Sequence, residues 1–263
     1  MRIVRIIPPS AAPAAPLLAL PVFAILDGST LRLLSKAPWE GGTPTGETVP
    51  HTDALPLLAP VVPSKIVCVG RNYAAHAKEL GNEVPKAPLL FFKPPSALIG
   101  HGGTIVLPPE SERVEHEAEV GIVIGRRCKG ISREQAREHI FGVTCVGDIT
   151  ARDLQRADGQ WARAKGFDSF CPAGPWIETD LDAKLADLRI SCTVNGATRQ
   201  DGRTSQMIFP IDELLAYTSR MMTLEPGDLL VTGTPEGVGP LVHGDRLEIS
   251  VEGVGTLACA VRK

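Results

Sequence analysis

The sequence predicts an α+β chain in which strands outnumber helices. Two observations carry that prediction. Apolar residues fall mostly in short runs or in alternation, the marks of buried and half-buried strands, while helical spacing is confined to a few brief segments. Gly and Pro, 26 and 23 of 263 residues, make up almost a fifth of the chain and punctuate it at short intervals.

Residues 1–62 read as a small β-rich domain. "RIVRII" has the composition of a strand, and "VFAILDGSTLRLL" reads as a hairpin turning at Asp27-Gly28. The Ala/Pro-rich stretch from Pro8 to Pro21 separates them. A basic start followed by apolar residues has the outline of a secretion signal, but five prolines interrupt it and no cleavage pattern follows, so none is expected. Ser35 to Pro56, rich in Gly, Pro and Thr, reads as loop. Residues 63–263 then read as the main domain, opened by the buried strand in "PSKIVCVG".

Next come a short helix in "NYAAHAKEL" closed by Gly81-Asn82, and strands in "PLLFFKP" and "AEVGIVIG". "SREQAREHIF" predicts a helix capped by Ser132. "FGVTCVGD" reads as a buried strand ending in an acid. "IDELLAYTSRMM" is an amphipathic helix, and "DLLVTGT" and "RLEISVEGVGTLACAV" are strands.

Composition narrows the function. Apolar content of 43% with 22% charged residues is that of a globular protein, and a net charge of −3 gives no reason to expect nucleic acid or an anionic membrane as partner. No apolar run reaches the ~20 residues a membrane span needs. Six cysteines without a C-x-x-C pair point to reduced thiols, hence a cytoplasmic location.

Four stretches carry groups suited to chemistry. In "VEHEAEVGIVIG", Glu115, Glu117 and Glu119 fall at every second position, so on a strand they share a face. Glu117 and Glu119, joined by Asp148 from the end of the next buried strand, form an oxygen-only ligand set suited to Mg²⁺ or Mn²⁺. Glu115 belongs with them or lies at the exposed rim. The alternative is a solvated face. His76 and Glu79 sit i, i+3 on the short helix, the arrangement of a general base oriented by a carboxylate, or of an incidental surface pair. Arg152, Gln155 and Lys165 offer donors for carboxylate and carbonyl oxygens. "VTGTPEGVGP" is a glycine-rich loop whose N–H groups are able to hold an anion. It is not a Walker A loop, and it opens no helix.

Taken in order, "KIVCVGRNYAAHAKELG", "FFKPPSALIG", "VEHEAEVGIVIG", "DITARDLQ", "RAKGFDSFCP", "TSQMIF" and "MTLEPGDLLVTGTPEGVGP" make the chain resemble the fumarylacetoacetate hydrolase superfamily over about residues 63–263. Within it the resemblance is to the acylpyruvases and oxaloacetate decarboxylases and to the 2-hydroxyhepta-2,4-diene-1,7-dioate isomerases. It implies a mixed β-sandwich roll, a homodimer, and Mg²⁺ or Mn²⁺ held by Glu117, Glu119 and Asp148. It implies catalytic roles for His76, Glu79 and Lys165, with His76 on a helix that folds over the substrate. Substrate contacts are implied for Arg71, Tyr73, Arg152, Gln155 and Thr234. The implied activity is cleavage of a C–C bond in a 2-oxo acid through a metal-stabilised enolate, by acylpyruvate hydrolysis or oxaloacetate decarboxylation. A dienedioate isomerase or decarboxylase is the alternative, and a non-catalytic 2-oxo acid binding protein is an alternative of another class.

Overall fold

The computed structural model describes residues 1–9 and 20–263, so most of the Ala/Pro-rich segment lies outside the described residues. Among the described residues the backbone forms three sheets, of 12, five and three strands. Across the large sheet the main path runs Pro44–Pro50, Thr30–Leu34, Val22–Asp27, Arg2–Ile6, Cys171–Glu178, Ile140–Gly147, Ala118–Ile124, Leu229–Val231, Ile66–Gly70 and Leu89–Lys93. The five-stranded sheet is built on Arg189–Val194, Ala197–Arg203, Arg246–Val251 and Gly255–Arg262, with Thr104–Val106 added in parallel at its edge.

The Ala118–Ile124 strand shows why the sheets stack. Every residue of it is buried, and alternate side chains feed two different cores. Val120, Ile122 and Ile124 pack in one core with Ile190, Ile249 and Leu257 of the five-stranded sheet and with Leu214 and Leu215 of the Ile211–Met221 helix. Val123 faces the opposite core, which it shares with Val146, Leu229 and Ile66, and with Ile3 and Phe23 from the N-terminal strands. Those N-terminal strands are hydrogen-bonded into the large sheet, Arg2 opposite Glu178 and Ile3 opposite Ile177.

Two local expectations meet a different structure, and one strand lies where none was expected. Ser35 to Pro56 is not all loop: Pro44–Pro50 forms an exposed edge strand against Thr30–Leu34, with its prolines at the two ends, where an edge tolerates a missing donor. The segment after Ser132 makes only turns and a 3₁₀ helix, Ala136–His139, instead of a capped α-helix. Cys171–Glu178, which carries Pro172, Gly174 and Pro175, is a buried strand paired on both sides.

Candidate active site

Strand pairing brings the acids together. Ala118 lies opposite Gly147 and Glu119 opposite Val146, and the Asp148 N–H donates to the Glu117 carbonyl at 2.9 Å. Glu117 interrupts the strand between Val114–His116, which joins the three-stranded sheet, and Ala118–Ile124 in the large one. Carboxylate oxygens of Glu117, Glu119 and Asp148 all come within 4.8 Å of one another, and all three residues are buried. They line a cavity of about 270 Å³ with Arg71, His76, Arg152, Gln155, Lys165 and Thr234.

Cations surround this cluster. Lys165 Nζ donates to Glu117 Oε2 at 2.9 Å and to Asp148 Oδ2 at 2.6 Å. Lys93 Nζ donates to Asp148 Oδ1 at 2.5 Å and to the Ile149 carbonyl at 3.0 Å. Burial alone would raise the Glu117 pKa, but Lys165 and Arg152, with His76, hold it well below the usual carboxylate range. Glu119 behaves oppositely. Burial and the charges of Asp148 and Glu117 push it far up, and Lys165 and the Gly233 N–H offset this only in part. Burial would lower the Lys165 ammonium, but Asp148 and Glu117 outweigh it and the net shift is upward, favouring the charged form.

Arg152 is a fixed part of the wall. Its Nε donates to Glu115 at 2.7 Å, Nη2 to Glu117 at 2.6 Å and Nη1 to the Gln155 amide oxygen at 2.5 Å, leaving two of a guanidinium's five N–H donors for a ligand. Gln155 keeps its own NH₂ free of that contact. Glu115 lies outside the acid cluster and is also not at an exposed rim: it is buried behind Arg152 and bonded as well to Arg113 at 2.6 Å.

His76 lies on Ala74–Glu79, and its Nδ1 is 3.1 Å from Glu79 Oε2, which leaves Nε2 for the cavity. The other Glu79 oxygen accepts the Gly237 N–H at 3.0 Å. The glycine-rich loop does bind anions, and they are the protein's own carboxylates, since Gly233 N–H donates to Glu119 as Gly237 N–H does to Glu79. Gly233 sits at φ +98° with a Cβ position 2.6 Å from Asn72 Cβ, so only glycine presents its N–H this way.

Thr234 and Tyr73, both expected to touch substrate, are placed differently: Thr234 lines the cavity and Tyr73 does not. The Thr234 hydroxyl donates to the Ala118 carbonyl at 2.8 Å and accepts from Gln200 Nε2 at 2.7 Å, so its proton is engaged within the wall it lines. Tyr73 is a core residue, 2% exposed, absent from the cavity wall and without a hydroxyl partner among the described residues.

Sequence reasoning passed over three contributors. Lys93 has the Asp148 contact just described. Buried Gln200 accepts from the Ala118 N–H at 2.9 Å and donates to Thr234 and to the Pro235 carbonyl, tying the glutamate strand to the glycine-rich loop. Asn72 bonds Phe209 and the Thr232 carbonyl just ahead of the His76 helix. A buried polar residue in an apolar run was the one signal available, and only for Lys93, which follows "LLFF".

A family model described as fumarylacetoacetate (FAA) hydrolase C-terminal matches residues 65–262, and one described as Rv2993c-like, N-terminal matches residues 1–60. The mitochondrial oxaloacetate decarboxylase of Dictyostelium discoideum is 44% identical over 197 residues, 73% of this chain and 90% of that protein. The structure of 2-hydroxyhepta-2,4-diene-1,7-dioate isomerase from Mycobacterium marinum is 43% identical, with a TM-score of 0.88 over 100% of this chain and 98% of that one. Fumarylpyruvate hydrolase from Pseudomonas aeruginosa, in complex with Mn²⁺ and pyruvate, is 35% identical with a TM-score of 0.73 over 80% and 92% of the two chains.

Proposed function

The chain belongs to the fumarylacetoacetate hydrolase family, and from that premise we propose that it breaks a C–C bond of a 2-oxo acid with the help of a divalent cation, hydrolysing an acylpyruvate or decarboxylating oxaloacetate. The observation that carries the proposal is the meeting of Glu117, Glu119 and Asp148 in one cavity with a histidine already bonded to a glutamate. The donor set fits Mg²⁺ or Mn²⁺. It is all carboxylate, and Glu119 is crowded by two like charges that a divalent ion relieves. The Mn²⁺ and pyruvate named with the Pseudomonas relative support the same pairing of ion and 2-oxo acid. When bound, the ion supplies Lewis-acid stabilisation of negative charge on the 2-oxo group.

The chain's own groups divide the remaining work. Glu79 holds the His76 ring through Nδ1, so Nε2 takes a proton from water as its oxygen adds to the C4 carbonyl. The C3–C4 bond then breaks, its electron pair passes toward the C2 oxygen as an enolate, and protonation at C3 completes the keto acid. Protonated Lys165 and the two free N–H donors of Arg152 lower the cost of that charge. In decarboxylation CO₂ leaves in place of the acyl group and no water adds. The Mycobacterium marinum relative favours a second reading, isomerisation of a dienedioate, in which His76 moves a proton along the conjugated chain. The His76–Glu79 pair facing the acid cluster favours turnover over ligand binding alone. The working form we propose is a homodimer.

The test is a side-by-side assay of acetylpyruvate, oxaloacetate and the seven-carbon dienedioate with Mg²⁺ or Mn²⁺, alongside chelator-treated protein. Cleavage of one of the first two, lost with chelator and restored by Mn²⁺, is expected. Turnover of the dienedioate alone selects the isomerase reading, and binding of all three without turnover of any overturns the enzymatic one.

A further inference from the structure

We propose that the groove between the N-terminal strands and residues 95–103 binds small monocarboxylates with an apolar tail, and that Arg5 anchors their carboxylate. The groove shares no lining residue with the acid-cluster cavity, so the inference stands apart from the cleavage reading above. Both of its walls hang on one strand. Arg2–Ile6 pairs with Cys171–Glu178 and, further along, with Leu57–Leu58, which sets Arg5 opposite Leu58. Leu98–Ile99 pairs in parallel with Cys171 and Pro172. Gly100 lets the two walls approach, since a Cβ there would lie 2.1 Å from the Leu57 carbonyl oxygen. The space left between them is about 550 Å³, within the range of small-ligand pockets.

What lines the groove selects the ligand. Leu57, Leu58, Val62, Leu98 and Ile99 make it apolar, and Val62 is 58% exposed. No Asp or Glu lines it, and burial with the charge of Arg246 holds His101 toward its neutral form. Arg5 is therefore the one permanent charge of the lining. Arg152, also buried, is neutralised by Glu115 and Glu117. The Arg5 guanidinium has no hydrogen bond, ion pair or ring contact among the described residues, and burial, with no acid to oppose it, draws its pKa down. Residues 10–19, outside the described ones, contain no acid to pair with it. A partly desolvated cation without a counterion is costly. A carboxylate from outside supplies that counterion and accepts paired hydrogen bonds from the guanidinium. One charge in an apolar lining fits a monoanion, because the second charge of a dianion would lie against Leu and Val side chains.

The test titrates octanoate calorimetrically into Mn²⁺-loaded protein, with octanol, octylamine and octanedioate as controls matched in length. Octanoate is expected to bind about 10-fold or more tightly than octanol, as one charge-assisted interaction implies, and octylamine not at all. Affinity should rise by up to about 4-fold for each methylene added between butanoate and octanoate. Arg5→Gln should remove the preference over octanol, Arg5→Lys should restore part of it, and Glu119→Gln should leave it in place. Because the Arg5 side chain has no partner to lose, Arg5→Gln should leave the thermal midpoint of ligand-free protein unchanged or higher, which scanning calorimetry reads. Octanoate that binds no more tightly than octanol overturns the inference. So does octanoate binding that falls in Glu119→Gln and not in Arg5→Gln, which would place the acid on the Mn²⁺. Tighter binding of octanedioate than of octanoate overturns the choice of a monoanion. An Arg5→Gln protein with a lowered midpoint would show that Arg5 serves the fold instead, and overturns the inference as well.

Discussion

At the scale of single residues, Glu119 is the acid of the cluster without a lysine or arginine partner among the described residues. Glu117 is compensated by Lys165 and Arg152 and Asp148 by Lys165 and Lys93, whereas the Glu119 side chain is held by a backbone N–H alone among the described residues. Glu119→Gln keeps the shape and removes the charge. It should weaken Mn²⁺ binding by roughly 100-fold or more, beyond what outer-shell changes cost, without lowering the thermal midpoint of chelator-treated protein. Isothermal titration and scanning calorimetry read the two effects, and a destabilised metal-free variant would show that Glu119 serves packing instead. Glu117 and Glu119 were legible in the sequence because they are two residues apart on one strand, and Asp148 because it ends the next one. Lys93 and Gln200 were not. Each acts on a segment 55 or 82 residues away, and only the pairing of strands brings it there.

Among the elements, the His76 helix depends most on its surroundings. Six residues are too few for an α-helix to hold itself in water. It is fixed by Asn72 on its N-terminal side and by Glu79 at its end, which orients His76 with one oxygen and grips Gly237 with the other. Two substitutions divide those roles. Glu79→Gln keeps an acceptor for Gly237 but loses the negative charge beside the imidazole, so kcat should fall about 10- to 100-fold while amide exchange over 74–80 stays near wild type. Glu79→Ala loses both, and exchange there should speed about 10-fold, the worth of one charge-assisted hydrogen bond. Equal exchange in the two variants would mean that the Gly237 contact holds nothing in place. Local pattern announced this helix because the stretch is bounded by Gly81, whose φ of +69° closes it. The same pattern could not announce Cys171–Glu178, where two prolines and a glycine weaken the local strand signal and pairing on both sides supplies what it lacks. Nor could it announce Pro44–Pro50, an edge strand held by one neighbour.

Across the whole molecule, the N-terminal 62 residues bear on the site through the core they cover. The sequence reads them as a separate small domain. In the structure Ile3, Phe23 and Leu34, with Trp39 beside them, pack into the same core as Val123 and Val146. By two-residue alternation Glu119 shares a strand face with Val123, and Asp148 follows Val146 by the same step. The acid cluster therefore sits at one end of a layer that the N-terminal strands seal, and Cys68 and Cys171, buried in that layer, raise their pKa partly through the charges of Asp148 and Glu119. Each of the large apolar side chains contributed from the N-terminal region stabilises by about 1.5–3 kcal/mol when buried, against a typical total of about 5–15 kcal/mol for a folded domain. Expression of residues 63–263 alone should then give a chain that aggregates, or one that melts at least about 10 °C lower and binds Mn²⁺ more weakly although every acid of the cluster is still present. Restoring residues 1–62 as a separate peptide should not fully rescue it, because the Arg2–Ile6 strand has to find the exposed edge of Cys171–Glu178 in competition with self-association. A truncated chain with the melting midpoint and metal affinity of the full protein would show instead that the seal is dispensable and that the acids are fixed by their lysine and arginine partners alone.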